Sequence, residues 1–339
     1  MFQKNIIDKH GRLLEYLRIS VTDRCNFRCS YCMPHEIFNH DYTFLSKNNL
    51  LSYEEIVRFS TILKNVGLKK IRLTGGEPLL RKNIDRLIYS LRERAQINEI
   101  SLTTNGSLLN KSIAQDLKTS GLNSITISLD SINDFTLEKI NTLKNNKSKI
   151  LEAIDIAIKV FGSVKVNMVV IKDINDSEII PMIEYLNDPR IQLRFIEFMD
   201  VGETNNWNIE SVITANSMKK LINTKYTIEK MTDNANSTSQ KYRIMEKDQE
   251  IAFIASVSEP FCGTCNRGRL SADGKFFTCL FSSLGYDFLN KLRNIDNDDE
   301  ILSHFIKIWS TRIDKYSENR LQSGNHKRRN KIEMSYIGG

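Results

Sequence analysis

Apolar and polar residues alternate in short runs that are rich in β-branched side chains: Leu17 to Val21, Lys70 to Thr74, Ile100 to Thr104, Ser124 to Leu129, Val164 to Val170 and Gln192 to Phe198. Between them, stretches such as Tyr53 to Asn65, Asn83 to Arg94 and Ile150 to Phe161 repeat apolar residues at helical spacing. Strand and helix therefore alternate about six times, which predicts parallel strands joined by crossover helices. A doubly wound sheet and a partial barrel both satisfy that order, and side-chain parity chooses between them. One parity is aliphatic, for example Leu17 and Ile19, Ile71 and Leu73, and Val164, Val166 and Met168. It suits a sheet surface buried under helices. The other parity carries Arg18, Ser20, Lys70, Arg72, Thr74, Ser101, Thr103, Thr126, Ser128, Lys165, Asn167, Gln192 and Arg194. A closed eight-stranded barrel fills its interior with Val, Ile and Leu. Hydroxyls, amides and cations there instead predict a wet, open lumen.

The fold class that follows is α/β, a partial, open TIM-type barrel of about six βα units. Residues 1–200 form that barrel, and residues 201–339 form a C-terminal α+β region that closes its mouth. Beyond Asp200 the pattern changes to Asn-rich loops (Asn205, Asn206, Asn208, Asn234, Asn236), a helix near Ser217 to Asn223, and strand-like runs at Tyr242 to Met245 and Ile251 to Ser256. Arg18, Lys70, Arg72, Lys165 and Arg194 would repel one another inside a lumen unless an anion offsets them, so the pattern predicts a polyanionic ligand. The bland alternative is that individual strands are edges whose polar face meets water.

Composition agrees with an ordered chain. Of 339 residues 40% are hydrophobic and 26% charged, with 15 Gly and 5 Pro, which argues against disordered and low-complexity classes. Lys plus Arg (48) exceeds Asp plus Glu (41), a net +7 that favours anionic partners without specifying nucleic acid. Charges run through the first thirty residues, and no uncharged apolar stretch reaches the roughly 18 residues of a membrane span, so the chain reads as cytoplasmic with no membrane partner.

All six cysteines fall into two triplets, and a reducing compartment makes metal or redox chemistry a better reading than disulfides. Cys25, Cys29 and Cys32 have the spacing C-x3-C-x2-C in the loop after the first strand, at the end where α/β barrels place their chemistry. Three thiolates hold three irons of a 4Fe-4S cubane and leave the fourth iron for an exogenous ligand. A Cys3His zinc site completed by His35 is the alternative. In the second triplet, Cys262 and Cys265 precede Arg267-Gly268-Arg269-Leu270, and Asp273-Gly274 reads as a two-residue hairpin turn. That register sets Ala272 opposite Lys275 and Gly268 opposite Cys279, returning the third thiol to the first two. No His lies nearby, which favours a second open 4Fe-4S cluster over a structural metal. Arg267 and Arg269 share one face of the extended segment beside it.

CNFRCSYC resembles the signature of the radical S-adenosylmethionine superfamily, and Thr74-Gly75-Gly76-Glu77-Pro78 resembles its GGEP element. These segments, with FCGTCNRGRLSADGKFFTCLF, RFIEFMDVG and the closing Gly338-Gly339, together resemble the GTP 3′,8-cyclase family of molybdenum cofactor biosynthesis across nearly the whole chain. The resemblance implies two 4Fe-4S clusters, on Cys25, Cys29 and Cys32 and on Cys262, Cys265 and Cys279. It implies S-adenosylmethionine contacts at Tyr31, Gly76, Ser128 and Met199, and GTP contacts at Arg18, Arg72, Thr103, Lys165, Arg267 and Arg269. Lys70 and Arg194 share the lumen parity and are added as phosphate candidates. Gly338 and Gly339, by default a frayed tail, are implied to enter the active site as catalytic elements. The family further implies a homodimer, an external electron donor such as flavodoxin or ferredoxin, and delivery of the product to cyclic pyranopterin monophosphate synthase.

Two other classes compete. A peptide-modifying radical S-adenosylmethionine enzyme with an auxiliary cluster would usually carry more cysteines in the second region. A zinc-dependent RNA-binding protein would interleave aromatics with exposed basic residues, whereas Arg18, Lys70 and Arg72 alternate with aliphatics.

Overall fold

A computed structural model describes residues 5–141, 146–232, 237–323 and 331–339. Asn234 and Asn236 of the Asn-rich region lie outside the described residues. Six parallel strands follow one another in space as in sequence: β1 (Tyr16–Ser20), β2 (Lys70–Thr74), β3 (Glu99–Thr104), β4 (Ser124–Ser128), β5 (Val164–Val170) and β6 (Ile191–Glu197). The strands alternate with helices that include Tyr53–Lys64, Ile84–Glu93, Lys111–Thr119, Lys147–Phe161 and Ile179–Tyr185. Ser52 and Glu55 form a reciprocal capping box that starts the first of these, satisfying two otherwise orphaned amides. The aliphatic parity is buried as its pattern requires, Leu17, Ile19, Ile71, Leu73, Val166 and Met168 all at 0% exposure. Each such side chain contributes about 1.5–3 kcal/mol on leaving water.

The remaining strands are β7 (Ile228–Lys230), β8 (Gln240–Ile244), β9 (Gln249–Ile254), β10 (Arg267–Leu270), β11 (Lys275–Phe277) and β12 (Tyr286–Asp287). They extend the same sheet at both sides, in the order β12-β11-β10-β1-β2-β3-β4-β5-β6-β9-β8-β7. β10 pairs parallel to β1 and β9 parallel to β6. The later part of the chain thus lengthens the barrel wall as well as contributing helices and loops.

The sheet is strongly curved. On a flat sheet β1 and β6 would stand about 24 Å apart, five strand spacings of ~4.8 Å. Yet Arg72 on β2 and Arg18 on β1 both act electrostatically on Arg194 of β6. Arg72 also donates to Thr126 on β4 (3.0 Å), which Arg194 reaches from β6 (3.2 Å).

The hairpin after Cys265 departs from the expected register by one residue. Arg269 faces Phe277 and Leu270 faces Phe276. The turn is a three-residue loop, Ala272-Asp273-Gly274, closed by Ser271 N–H to Lys275 O (2.9 Å) with Gly274 at φ +77°. A left-handed third residue makes this longer loop as good a match to strand twist as the two-residue turn.

Candidate active site

The first thiol loop leaves the C-terminal end of β1 and is held by backbone contacts. Arg28 donates to the carbonyls of Cys25 (2.7 Å), Phe27 (2.9 Å) and Phe38 (2.5 Å). The GGEP turn after β2 lies against it, Gly76 N–H donating to Thr22 O (2.7 Å) and Glu77 N–H to Arg24 O (2.8 Å). A Cβ on Gly76 would fall onto the Arg24 carbonyl, so the close approach demands glycine. Glu77 fixes the turn from below, accepting from Thr104 Oγ1 (2.7 Å), Asn105 N–H (2.7 Å) and Leu79 N–H (3.0 Å), while burial raises its carboxyl to about 7. Burial also pushes the Cys25 thiol up to about 11, helped by Glu77, and pushes Cys29 and Cys32 well up. Thiols this costly to ionise alone fit a polycationic iron cluster, which supplies the compensating charge. His35, the fourth ligand that a zinc site would need, is exposed.

Around this loop, Tyr31 donates to Asp130 Oδ2 (2.7 Å), whose other oxygen accepts from Val169 N–H (2.8 Å). Ser128 ends β4 beside Asn167 of β5. Met199 follows β6, its carbonyl accepting from Asn205 (3.2 Å). All four expected S-adenosylmethionine residues therefore lie at the C-terminal ends of the parallel strands.

The second triplet rests on a buried arginine lattice. Arg12 binds Asp8 (2.6 Å) and the carbonyls of Cys262 (2.7 Å) and Asp314 (2.8 Å). Arg312, 1% exposed, binds Asp8 (3.4 Å) and Cys265 O (2.8 Å). Arg312 and Arg267 each stand 3.5 Å from Cys265 Sγ. Burial raises that thiol, but the two guanidinium groups outweigh burial and bring it down to about 6. Burial, followed by Asp314, pushes Cys279 up to about 12, and Cys265 adds to the rise. The third thiol does come back to the second despite the shifted register.

Between the two thiol groups the lumen is crowded with cations. Arg18 lies in register with Arg269 on one side and Arg72 on the other, and Thr126 with Thr103 and Lys165. Arg72 donates to Thr103 Oγ1 (2.9 Å) as well as Thr126. Burial and Arg72 lower Arg194 to about 9, and burial with Arg194, Arg72 and Lys70 lowers Lys165 to about 8. Arg18 Nε, Arg194 Nε and Asn167 Oδ1 are buried without hydrogen-bond partners. The two orphaned guanidinium donors, set among mutually repelling cations, form a seat for an anion with many oxygens. Lys70 sits lower, at the N-terminal end of β2, paired with Glu99 (3.1 Å).

The tail enters this lumen. Arg269 donates to the Gly338 carbonyl and Arg18 to the Gly339 carbonyl. Tyr336 donates to Asp273 (2.5 Å), and Ile337 is fully buried. Gly338 has φ +76°, and a Cβ there would overlap Thr74 Oγ1.

Residues 19–186 match the radical S-adenosylmethionine superfamily and residues 191–318 the molybdenum cofactor synthesis C family. The chain is 49% identical over 337 residues to a GTP 3′,8-cyclase of Staphylococcus epidermidis, covering 98% of this chain and 99% of that one. It is 46% identical over 340 residues to that of Staphylococcus saprophyticus, covering 99% of each. The chain belongs to the GTP 3′,8-cyclase family. As a member of that family it is a radical S-adenosylmethionine enzyme, whose superfamily chemistry uses S-adenosylmethionine and a 4Fe-4S cluster. Streptococcus suis SuiB bound to S-adenosylmethionine shares the fold, with a TM-score of 0.63 and 14% identity over 94% of this chain and 71% of that chain. Among the described residues no helix is long and apolar enough to cross a membrane.

This cyclase-family site contains groups that sequence reading missed. Tyr16 meets Arg72 Nε at 2.5 Å, and extending the β1 parity back by one step would have found it. Asp200, wholly buried, pairs with Arg320 and accepts from Tyr316 (3.0 Å), with Lys331 3.6 Å away. Glu333 accepts from Glu203 N–H (2.9 Å) and Thr204 Oγ1 (2.8 Å) at the base of the tail. No spacing links these acids to their distant partners.

Proposed function

We propose that this chain converts GTP to (8S)-3′,8-cyclo-7,8-dihydroguanosine 5′-triphosphate, the first step of molybdopterin biosynthesis. The carrying observation is the cation-lined lumen opening between two separate cysteine triplets. Cys25, Cys29 and Cys32 would hold the first cluster, which with S-adenosylmethionine and one electron from the external donor would supply 5′-deoxyadenosyl radical chemistry directed at the 3′ hydrogen of GTP. Cys262, Cys265 and Cys279 would hold a second cluster for the guanine. In this reading residues 1–200 serve the radical source and residues 201–339 the base.

The chain's own work is binding and orientation. A triphosphate carries about four negative charges, which offset the repulsion among Arg18, Arg72, Lys165, Arg194, Arg267 and Arg269. Fixing both ends of GTP places C3′ and C8 in one reacting geometry and lowers the entropic part of the barrier. Tyr31, Gly76, Ser128 and Met199 line the S-adenosylmethionine side, and Gly338 and Gly339 bring backbone without side chains to the reacting centre. Homodimerisation, reduction by a flavodoxin or ferredoxin, and transfer of product to cyclic pyranopterin monophosphate synthase complete the proposal.

The test is anaerobic reconstitution followed by iron and sulfide counting and a GTP-dependent S-adenosylmethionine cleavage assay. The expected result is about eight irons per chain, with cleavage stimulated by GTP and a cyclised nucleotide as product. Four irons, or cleavage indifferent to GTP, would overturn the reading.

A further inference from the structure

Tyr16 places an acidic hydroxyl among the lumen cations. Arg72 Nε donates to its Oη at 2.5 Å, a direct contact between the guanidinium and the phenol oxygen. The Lys70 ammonium stands 5.6 Å from its ring centroid, Arg18 follows two residues along the same strand face, and Arg267 of β10 lies directly in register. Arg18, Arg194 and Arg269 all feel the phenol as a favourable charge. Carboxylates at the strand starts are engaged elsewhere, Glu15 with Lys69 and Asn266, Glu99 with Lys70 and Glu250 with Lys241. Among the described residues no Asp or Glu side chain forms an ion pair with Arg18, Arg72, Arg194, Arg267 or Arg269. The other oxygens met by Arg18 and Arg269 are those of Gly339 and Gly338.

We propose that Tyr16 is the lumen's internal counter-anion: its phenolate holds Arg72 in the GTP-free enzyme, and binding of the triphosphate returns it to the neutral phenol. The inference rests on GTP being the substrate. A solvent proton moves to Tyr16 Oη as the phosphate oxygens take over the guanidinium, so substrate binding consumes about one proton at this residue. Burial works against the charged phenol, but Arg72, Arg18 and Lys70 outweigh it and hold Tyr16 down at about 7. A second negative charge beside a phenolate would cost more than protonating it. Tyr16 thereby keeps the cation cluster together without obstructing the nucleotide, because its own charge disappears on binding.

The test is calorimetric titration of the reconstituted holoenzyme with GTP at pH 8, run in two buffers of different ionisation enthalpy. The buffer dependence gives the number of protons taken up. A group titrating near 7 is about nine-tenths ionised at pH 8, so wild type should take up ~0.9 proton more than Tyr16→Phe. Lys165 contributes equally to both proteins and cancels. Tyr16→Met provides a second phenol-free variant, and iron content reports whether each variant assembles. Equal uptake by wild type and an assembled variant overturns the inference while leaving GTP binding in place. Wild-type holoenzyme that binds no GTP overturns the proposed function and this inference with it.

Discussion

Gly338→Ala tests whether the tail acts in the lumen. At φ +76° an alanine carries about 1–2 kcal/mol of left-handed strain. Its Cβ also has no room against Thr74 Oγ1, so the tail must lift from β1 and β2. Lifting loosens the bonds from Arg269 to Gly338 O and from Arg18 to Gly339 O, each of a kind that contributes about 1.5–3 kcal/mol. With partial retention of one bond the docked tail loses about 3–4 kcal/mol, or two to three decades in kcat/KM at ~1.4 kcal/mol per decade. At Gly339 the added methyl meets only the flexible Met334 thioether (2.7 Å from Sδ), so Gly339→Ala should lose about tenfold or less. Iron content and melting temperature should hold in both variants, because the tail buries little besides Ser335 and Ile337. Anaerobic product formation at varied GTP gives the two kcat/KM values. Full activity of Gly338→Ala, or a Gly339 variant more impaired than it, would refute the reasoning.

Other measurements probe the remaining parts. Lys165 is held down to about 8, first by burial and then by Arg194, Arg72 and Lys70, and a bound triphosphate raises it. Below pH 8 this lysine is already charged, so its share of GTP affinity is constant there. Above pH 8 binding must bring it a proton, which lowers affinity by up to about tenfold per pH unit beyond the fall that Tyr16 causes. Calorimetry of Lys165→Met should leave only the Tyr16 part of that slope. Gly76→Ala should cut S-adenosylmethionine affinity by at least about tenfold in equilibrium dialysis, since displacing the Arg24 carbonyl costs over 1.4 kcal/mol. Arg312→Met removes the guanidinium that joins Asp8 to Cys265 and should cost roughly 1.5–3 kcal/mol in chemical denaturation, since Asp8 keeps Arg12. Its iron content should drop from about eight toward four per chain.

Much of the barrel was legible because both faces of its strands are marked. Runs 70–74 and 164–170 have the bounds read from sequence: aliphatic and polar residues alternate throughout the first, and through Met168 in the second before its closing Val169-Val170. The lumen cations followed from the same parity. The pairing of β10 with β1 did not, because Arg-Gly-Arg-Leu offers one apolar side chain and names no neighbour. The hairpin slipped by one residue because two- and three-residue turns both use a glycine after Asp273. Tyr16 opens β1 one residue before the aliphatic alternation begins at Leu17, so the pattern does not mark it. The Asp200 and Glu333 contacts join residues more than a hundred positions apart, and local periodicity carries no information about them.

The flanking of β1 by β10 bears on how the polypeptide is made. Ribosomes release β1 early, but its outer partner, Arg267–Leu270, emerges only after most of the chain has been translated. Until then one raw edge of the nascent wall is open to strand addition, and β6 shares the hazard until β9 appears. A fragment ending near residue 200 keeps both edges permanently bare. Such a fragment should self-associate on expression, and supplying the missing segment in trans should recover it.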